Sequence, residues 1–304
     1  MKRIIFSDRK QAPAFYDMGC RFAPYLSKPW YGGPFRIGDR AAAHVWLADW
    51  RLRNPIRRLV VVEDSLMAGT EHSRALPGSW LFKDIADELW VVEEPGEVVK
   101  RPEGQTLYHV TMWRIWRWLM FNKIVVPTIR PMPESVERMK TILDRYKVPS
   151  KYITVQPLFD ATYDKFRNAN VTWWASVLNT LQTQFPVVVL GLRENADKLK
   201  VSGHNLYPIW QESINAMESL AIISRSSVHV GGATGLTLWA PIFQISTLAC
   251  YIGWSAHPGK KTDTRPLSFG APVVFSLLDG DVKTMAVTVE GLYNGRLRES
   301  TPVS

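Results

Sequence analysis

Apolar runs of three to six residues, rich in Val, Ile and Leu, recur along this chain at intervals long enough to hold a helix between them. A strand buried on both faces needs such a run, because neither side of its pleat meets water, and a parallel crossover needs a spacer of helical length. The runs lie at residues 3–6, 59–63, 88–92, 107–110, 152–156, 187–191, 227–230, 246–251 and 273–275. Helical spacing of apolar side chains is best developed at 41–53, 133–146, 171–185, 213–224 and 236–242. The pattern predicts an α/β protein of consecutive βαβ units with parallel sheets.

With 304 residues the chain is long for one small core and suits two domains, each able to bury its own. Pro127, Pro131 and Pro133 precede a charged helix, and Pro149 should stop that helix, so the joint is expected across 127–150. Domains of 1–150 and 151–304 follow. Apolar residues make up 46% and charged residues 21%, which excludes a disordered or collagen-like chain. Cys20 and Cys250 are the only cysteines and lack zinc-ligand spacing, so neither a metal centre nor a disulfide framework is expected. The first ten residues hold only Ile4, Ile5 and Phe6 as a consecutive apolar stretch, too little for a secretory leader, and no membrane-length apolar run occurs. The expectation is a cytoplasmic protein.

Charge narrows the partners. The net +9 is uneven: residues 1–150 carry 24 Lys/Arg against 17 Asp/Glu, whereas residues 151–304 carry 13 against 11. A field of +7 on the first half concentrates phosphate-bearing partners there, whether nucleic acid, an anionic membrane surface or a phosphorylated glycan.

Three segments can carry chemistry. In Phe35-Arg36-Ile37-Gly38-Asp39-Arg40, a glycine turn leads into an Ala-rich helix that contains His44. Asp39 there is either a helix N-cap or a carboxylate able to accept the proton of an attacking hydroxyl. In Gln156-Pro157 and the polar loop to Asp164-Lys165-Phe166-Arg167, a strand end opens into the region where open parallel sheets bind ligands. Lys165 and Arg167 suit a diphosphate leaving group, or they are a solvated surface pair. In Val230-Gly231-Gly232-Ala233-Thr234-Gly235-Leu236, a strand, a Gly-rich turn and a helix start form either an anion cradle or a tight turn. It is neither a Walker loop nor Gly-x-Gly-x-x-Gly. A further stretch, residues 112–121, places Trp113, Trp116 and Met120 on one helical face and Arg114 and Arg117 on another. It reads as a core helix, an interfacial surface for anionic lipid, or a base-stacking platform.

Taken in order, these segments resemble the heptosyltransferase family of GT-B glycosyltransferases from residue 35 to residue 253. The Gly38-Asp39 turn, the helix after it, Asn54-Pro55 and the strand to Glu63 are similar to the family's opening. Met132-Pro133-Glu134, the strand ending at Pro157, and Asp164-Lys165-Phe166 with Trp173 downstream are similar to its linker, first donor-domain strand and Lys-containing loop. Val188-Val189-Leu190-Gly191 and the run from Ser219 to Gly235 continue in register.

The resemblance implies a GT-B architecture: two Rossmann-like domains whose parallel sheets face a central cleft, acceptor on the first and nucleotide sugar on the second. It implies inverting, metal-independent transfer with Asp39 as base and Lys165 on the donor phosphates, and the charge of Arg167 suits the same diphosphate. Gly232, Thr234, Gly235 and Leu236 form the donor turn, and Arg36, Arg40 and His44 are the candidates for meeting the acceptor. No cofactor is expected, only a nucleoside-diphosphate sugar as donor substrate. The acceptor implied is a glycan such as a lipopolysaccharide core, with peripheral membrane contact left open. The basic first half and the Trp/Arg segment suit instead DNA with hydroxymethylated bases, which would have to be extruded from the stack. A non-catalytic nucleic-acid or glycan binder of the same fold is the rival from another class. The chain departs from the family at Ala233, where an aspartate is usual, at Leu238, where a histidine is usual, and in residues 7–37, where the family turns almost directly.

Overall fold

The computed structural model describes residues 3–6, 24–26, 41, 44–45, 47–48, 58–62, 88–92, 108–109, 130–159, 169–191, 198–212, 214–232, 234–251, 271–277 and 280–297. The chain divides into two compact units, Met1–Ile129 and Arg130–Ser304.

Among the described residues the first unit holds five strands: β1 (Arg3–Phe6), β2 (Pro24–Leu26), β3 (Arg58–Val62), β4 (Glu88–Val92) and β5 (Tyr108–His109). They form a parallel sheet in the order β1-β4-β3-β2-β5. Between β2 and β3, Ala41, His44, Val45, Leu47 and Ala48 are helical and buried. Their spacing is that of one face of a helix.

The second unit opens with α1 (Pro133–Arg145), where Pro133 stands in the first turn, as its locked φ and missing N–H allow. The chain leaves α1 through Lys147 at φ 54, and Val148 N–H closes the end on the Leu143 carbonyl at 2.9 Å. Then come β6 (Ile153–Gln156), α2 (Val171–Leu181), β7 (Val187–Val189) and β8 (Leu206–Tyr207). They are followed by α3 (Ala216–Ile223), β9 (Val228–Gly231), α4 (Gly235–Ile242), β10 (Ser246–Tyr251), β11 (Val273–Leu277) and α5 (Val282–Tyr293).

These six strands form one all-parallel sheet in the order β11-β10-β9-β6-β7-β8. The chain winds outward from β6 through β7 to β8, returns to the other side of β6, and winds outward again from β9 to β11. That is the doubly wound Rossmann order. The α/β class expected from the recurrence is therefore what the chain forms.

Alternation along the strands sends side chains to two helix layers. Ile153 and Val155, Val187 and Val189, Val228 and Val230, and Leu248 and Cys250 join Trp174, Val177, Leu178 and Leu181 of α2 and Met285, Val289 and Leu292 of α5 in one core. On the other face α3 and α4 pack together, and α1 packs outside α3 through an Arg138–Glu218 ion pair. Glu218 also accepts from the Asn215 N–H at 2.7 Å while Asn215 Oδ1 accepts from Glu218 N–H at 2.9 Å, a reciprocal capping box.

Several element limits differ from the sequence reading, each for a local reason. The helix expected over 213–224 begins at Ala216 because the Asn215 capping box fixes its start. The one expected over 171–185 starts as expected, on an Asn170 cap, but ends at Leu181 in a turn whose Gln182 and Phe185 N–H groups bond back to Leu178 and Leu181. The strand expected over 187–191 ends at Val189, two residues before Gly191 takes φ 148. Strands β2 and β8, of three and two residues, and helix α5 were not anticipated.

Candidate functional site

The strand order itself marks a site. β6 and β9 are neighbours from which the chain departs in opposite directions, a switch point of the kind outside which open α/β sheets bind their ligands. Gln156 ends β6 and pairs in register with Gly231, which ends β9. Beyond them lie Gly232, Thr234 and the start of α4, so the sheet sets Gln156, where the second segment singled out from the sequence begins, beside the third.

Thr234 is the N-cap of α4, extended at φ −115, ψ 164, with its Oγ1 accepting from Thr237 N–H at 3.3 Å. The N–H groups of Gly235 and Leu236, the first two helical residues, have no carbonyl within the helix to meet, and the helix dipole adds positive potential there. The room left by the two glycines is filled by protein. A Cβ on Gly231 would sit 2.3 Å from Thr237 Oγ1 and 2.7 Å from His229 Nε2, and one on Gly232 would sit 2.9 Å from Leu158 Cβ. Glycine at 231 thus lets the sheet, a histidine and the helix start approach each other.

That approach creates a buried polar chain. His229 and Thr154 are register partners on adjacent strands, and His229 Nδ1 lies 3.0 Å from Thr154 Oγ1. On its other side His229 Nε2 lies 3.3 Å from Thr237 Oγ1, which is 3.1 Å from Thr234 Oγ1. Thr234 Oγ1 donates to Gln156 Oε1 at 2.6 Å. Thr154, His229 and Thr237 are buried; Gln156 and Thr234 are half-buried. Burial pushes the His229 imidazole down to about 3, because a charged ring there has lost its water. It is neutral at physiological pH. The same cause pushes the Cys250 thiol, on the opposite face of the sheet, up to about 12, which leaves it unreactive.

Of the residues assigned from the sequence, the structure places Gly232, Thr234, Gly235 and Leu236 together at the switch point. His44 lies in the first unit, helical and buried. Asp39, Arg36, Arg40, Lys165, Arg167, Ala233 and residues 112–121 lie outside the described residues. Leu238 is half-buried on α4. Gln156 and His229 carried no assignment in the sequence reading, although the alternation Val228-His229-Val230-Gly231 marks His229 as facing away from the apolar core. Among the described residues no cluster of three or more His, Cys, Asp or Glu is assembled that could hold a metal, and no helix is long and apolar enough to cross a membrane.

A doubly wound parallel sheet with a capped helix start at its switch point defines the class: a Rossmann-like α/β protein. More particularly, the fold is that of heptosyltransferase-like glycosyltransferases. The chain is similar to a glycosyl transferase family 9 protein from Veillonella parvula, with TM-score 0.56 and 10% identity over 91% of this chain and 89% of that one. It is likewise similar to the ADP-heptose lipopolysaccharide heptosyltransferase II of E. coli, with TM-score 0.53 and 12% identity over 90% of this chain and 99% of that one. No protein-family model matches the sequence, and a sequence comparison with curated proteins finds no match.

Proposed function

We propose that the chain is a glycosyltransferase that moves a sugar from a nucleoside-diphosphate sugar to an acceptor hydroxyl, in one displacement with inversion and without a metal. The observation that carries this reading is the Thr234-capped start of α4 at the switch point of the sheet. It supports a site for the donor's diphosphate at Gly232, Thr234, Gly235 and Leu236, and the shared fold supports sugar transfer as the use of that site.

In this reaction Asp39 takes the proton of the acceptor hydroxyl. The freed oxygen attacks the anomeric carbon from the side opposite the diphosphate, and the bond from that carbon to the diphosphate oxygen breaks. Its electron pair leaves with the nucleoside diphosphate, where Lys165, Arg167 and the helix start meet the developing charge. A single displacement inverts the anomeric centre. The acceptor is a phosphorylated glycan such as a lipopolysaccharide core, met by Arg36 and Arg40, since His44 is buried; the +7 balance of residues 1–150 supports an anionic partner.

The test is calorimetry and turnover with a panel of nucleotide sugars on the intact protein, beside Asp39→Asn. Asn caps a helix about as well as Asp but has no useful basicity. The variant is expected to melt with the parent, bind donor equally, and turn over about 10² to 10⁴ times more slowly. Binding of no nucleotide sugar overturns the reading.

A further inference from the structure

The polar chain under the donor turn has a direction, and that direction can be read from its atoms. A separation of 2.6 Å between Thr234 Oγ1 and Gln156 is that of an O–H···O bond, shorter than amide donors make, so Gln156 turns its carbonyl oxygen toward Thr234. The single Thr234 proton is then committed. Thr234 Oγ1 must accept from both the Thr237 N–H at 3.3 Å and the Thr237 hydroxyl at 3.1 Å. The Thr237 proton is spent in turn, so Thr237 Oγ1 accepts from His229 Nε2 at 3.3 Å, which therefore carries the ring proton. His229 Nδ1 is left to accept from Thr154 Oγ1, which lies nearer to it, at 3.0 Å, than to its other acceptors, Ser226 Oγ at 3.2 Å and the Val228 carbonyl at 3.4 Å. Each hydroxyl has one proton and each ring nitrogen one role, so the bond at Gln156 sets the direction as far as His229, and Thr154 gives its proton to its nearest acceptor.

At the open end, Gln156 Oε1 is occupied and its Nε2 has no partner among the described residues. The carboxamide stands half-buried at the carboxyl end of β6, beside the turn. We propose that His229 is a positioning residue that, through Thr237 and Thr234, holds Gln156 with its amide N–H₂ offered to the diphosphate oxygens of the donor. The ligand half of this inference rests on the donor site proposed above; the direction of the chain does not. The opposite tautomer, with the proton on Nδ1, reverses every bond up to Thr234 and turns the Gln156 carbonyl outward, where it repels a phosphate. Gly231 belongs to the same device, since any side chain there would displace both His229 and Thr237.

Two measurements test it. In protein labelled with ¹⁵N-histidine, the imidazole shifts and couplings of the unliganded wild type report the tautomer directly. The Nε2–H form is expected, and an Nδ1–H form overturns the proposal. The second measurement is titration with ADP and UDP of the wild type, Gln156→Ala, His229→Phe and the double variant. Gln156→Ala is expected to weaken binding about tenfold to a hundredfold, as loss of a charge-assisted hydrogen bond does. His229→Phe should weaken it in the same direction, and the double variant should bind no more weakly than Gln156→Ala, since His229 acts through Gln156. His229→Gln, which keeps one donor and one acceptor, should recover part of the loss. Full affinity in His229→Phe, or losses that add in the double variant, overturn the positioning role. If neither nucleotide binds the wild type, the donor site fails and the ligand half falls with it, while the tautomer still decides the chain's direction.

Discussion

The two faces of the six-stranded sheet are made from the same strands yet do different work. Toward α2 and α5 the strands present Ile153, Val155, Val187, Val189, Val228 and Val230, an unbroken apolar layer. Toward α3 and α4 the central strands present Thr154, Gln156, His229 and Thr247, polar side chains of which Thr154, His229 and Thr247 are fully buried. A burial cost of that kind is offset only when every group is paired. Thr154 and His229 are paired along the chain to Thr237 and Thr234, and Thr247 donates to the Ile245 carbonyl at 2.9 Å. The first face supplies cohesion without direction, because apolar contact is not directional. The second supplies geometry, because each of its bonds constrains the next. The polar face is also the one bearing α4, whose start lies at the switch point.

If the faces are independent in this sense, substitutions should separate stability from ligand binding. Leu178 on α2 is fully buried, and Leu178→Ala is expected to cost about 2–5 kcal/mol in urea unfolding, with nucleotide affinity of the folded protein unchanged. An affinity loss of similar size would show the faces to be coupled.

Gly231→Ala should be smaller in stability and larger in binding. The added methyl meets Thr237 Oγ1 at 2.3 Å, so the helix start or the strand end must shift, at about 1–3 kcal/mol by thermal melting. A variant that melts with the parent and binds nucleotide normally would show that the chain tolerates displacement.

The effect that is absent at neutral pH is an acid slope. His229 is pushed down to about 3 in the folded protein from an ordinary 6.5, so the unfolded chain takes up a proton first as pH falls. Stability is therefore unaffected above about pH 6.5 and declines through the window from 6.5 toward 3, by up to about 1.4 kcal/mol per pH unit. Comparing the wild type with His229→Phe cancels the carboxylates common to both. The variant should have a shallower acid slope, and parallel slopes would show that His229 is hydrated enough to charge in place.

Much of this molecule was legible from local pattern. The strands at 3–6, 88–92 and 246–251 lie where the apolar runs lie, and α1 begins at Pro133 because proline fits a first helical turn. What escaped was short or locally ambiguous. β8 has two residues, too few for any period to show. α5 is written Val-Lys-Thr-Met-Ala-Val-Thr-Val-Glu-Gly-Leu-Tyr, whose β-branched residues favour a strand. Its Asp281 cap, accepting from Thr284 N–H at 2.8 Å, and the burial of Met285, Val289 and Leu292 against α2 and the sheet decide for helix.

The sequence by itself determined the α/β class, the parallel strands and the turn at Gly231 to Leu236, because hydrophobic period and glycine placement are local properties of the chain. Tertiary structure alone decided that β6 and β9 are neighbours, since strand order depends on which way each crossover returns. That adjacency sets Thr154 beside His229 and Gln156 beside Gly231, residues 75 positions apart in each pair. Nothing local to Val-His-Val-Gly foretells a hydroxyl on one side of the ring and a helix cap on the other. Hydrogen bonds are directional and short-ranged, so the role of His229 exists only once the sheet has brought its partners within reach.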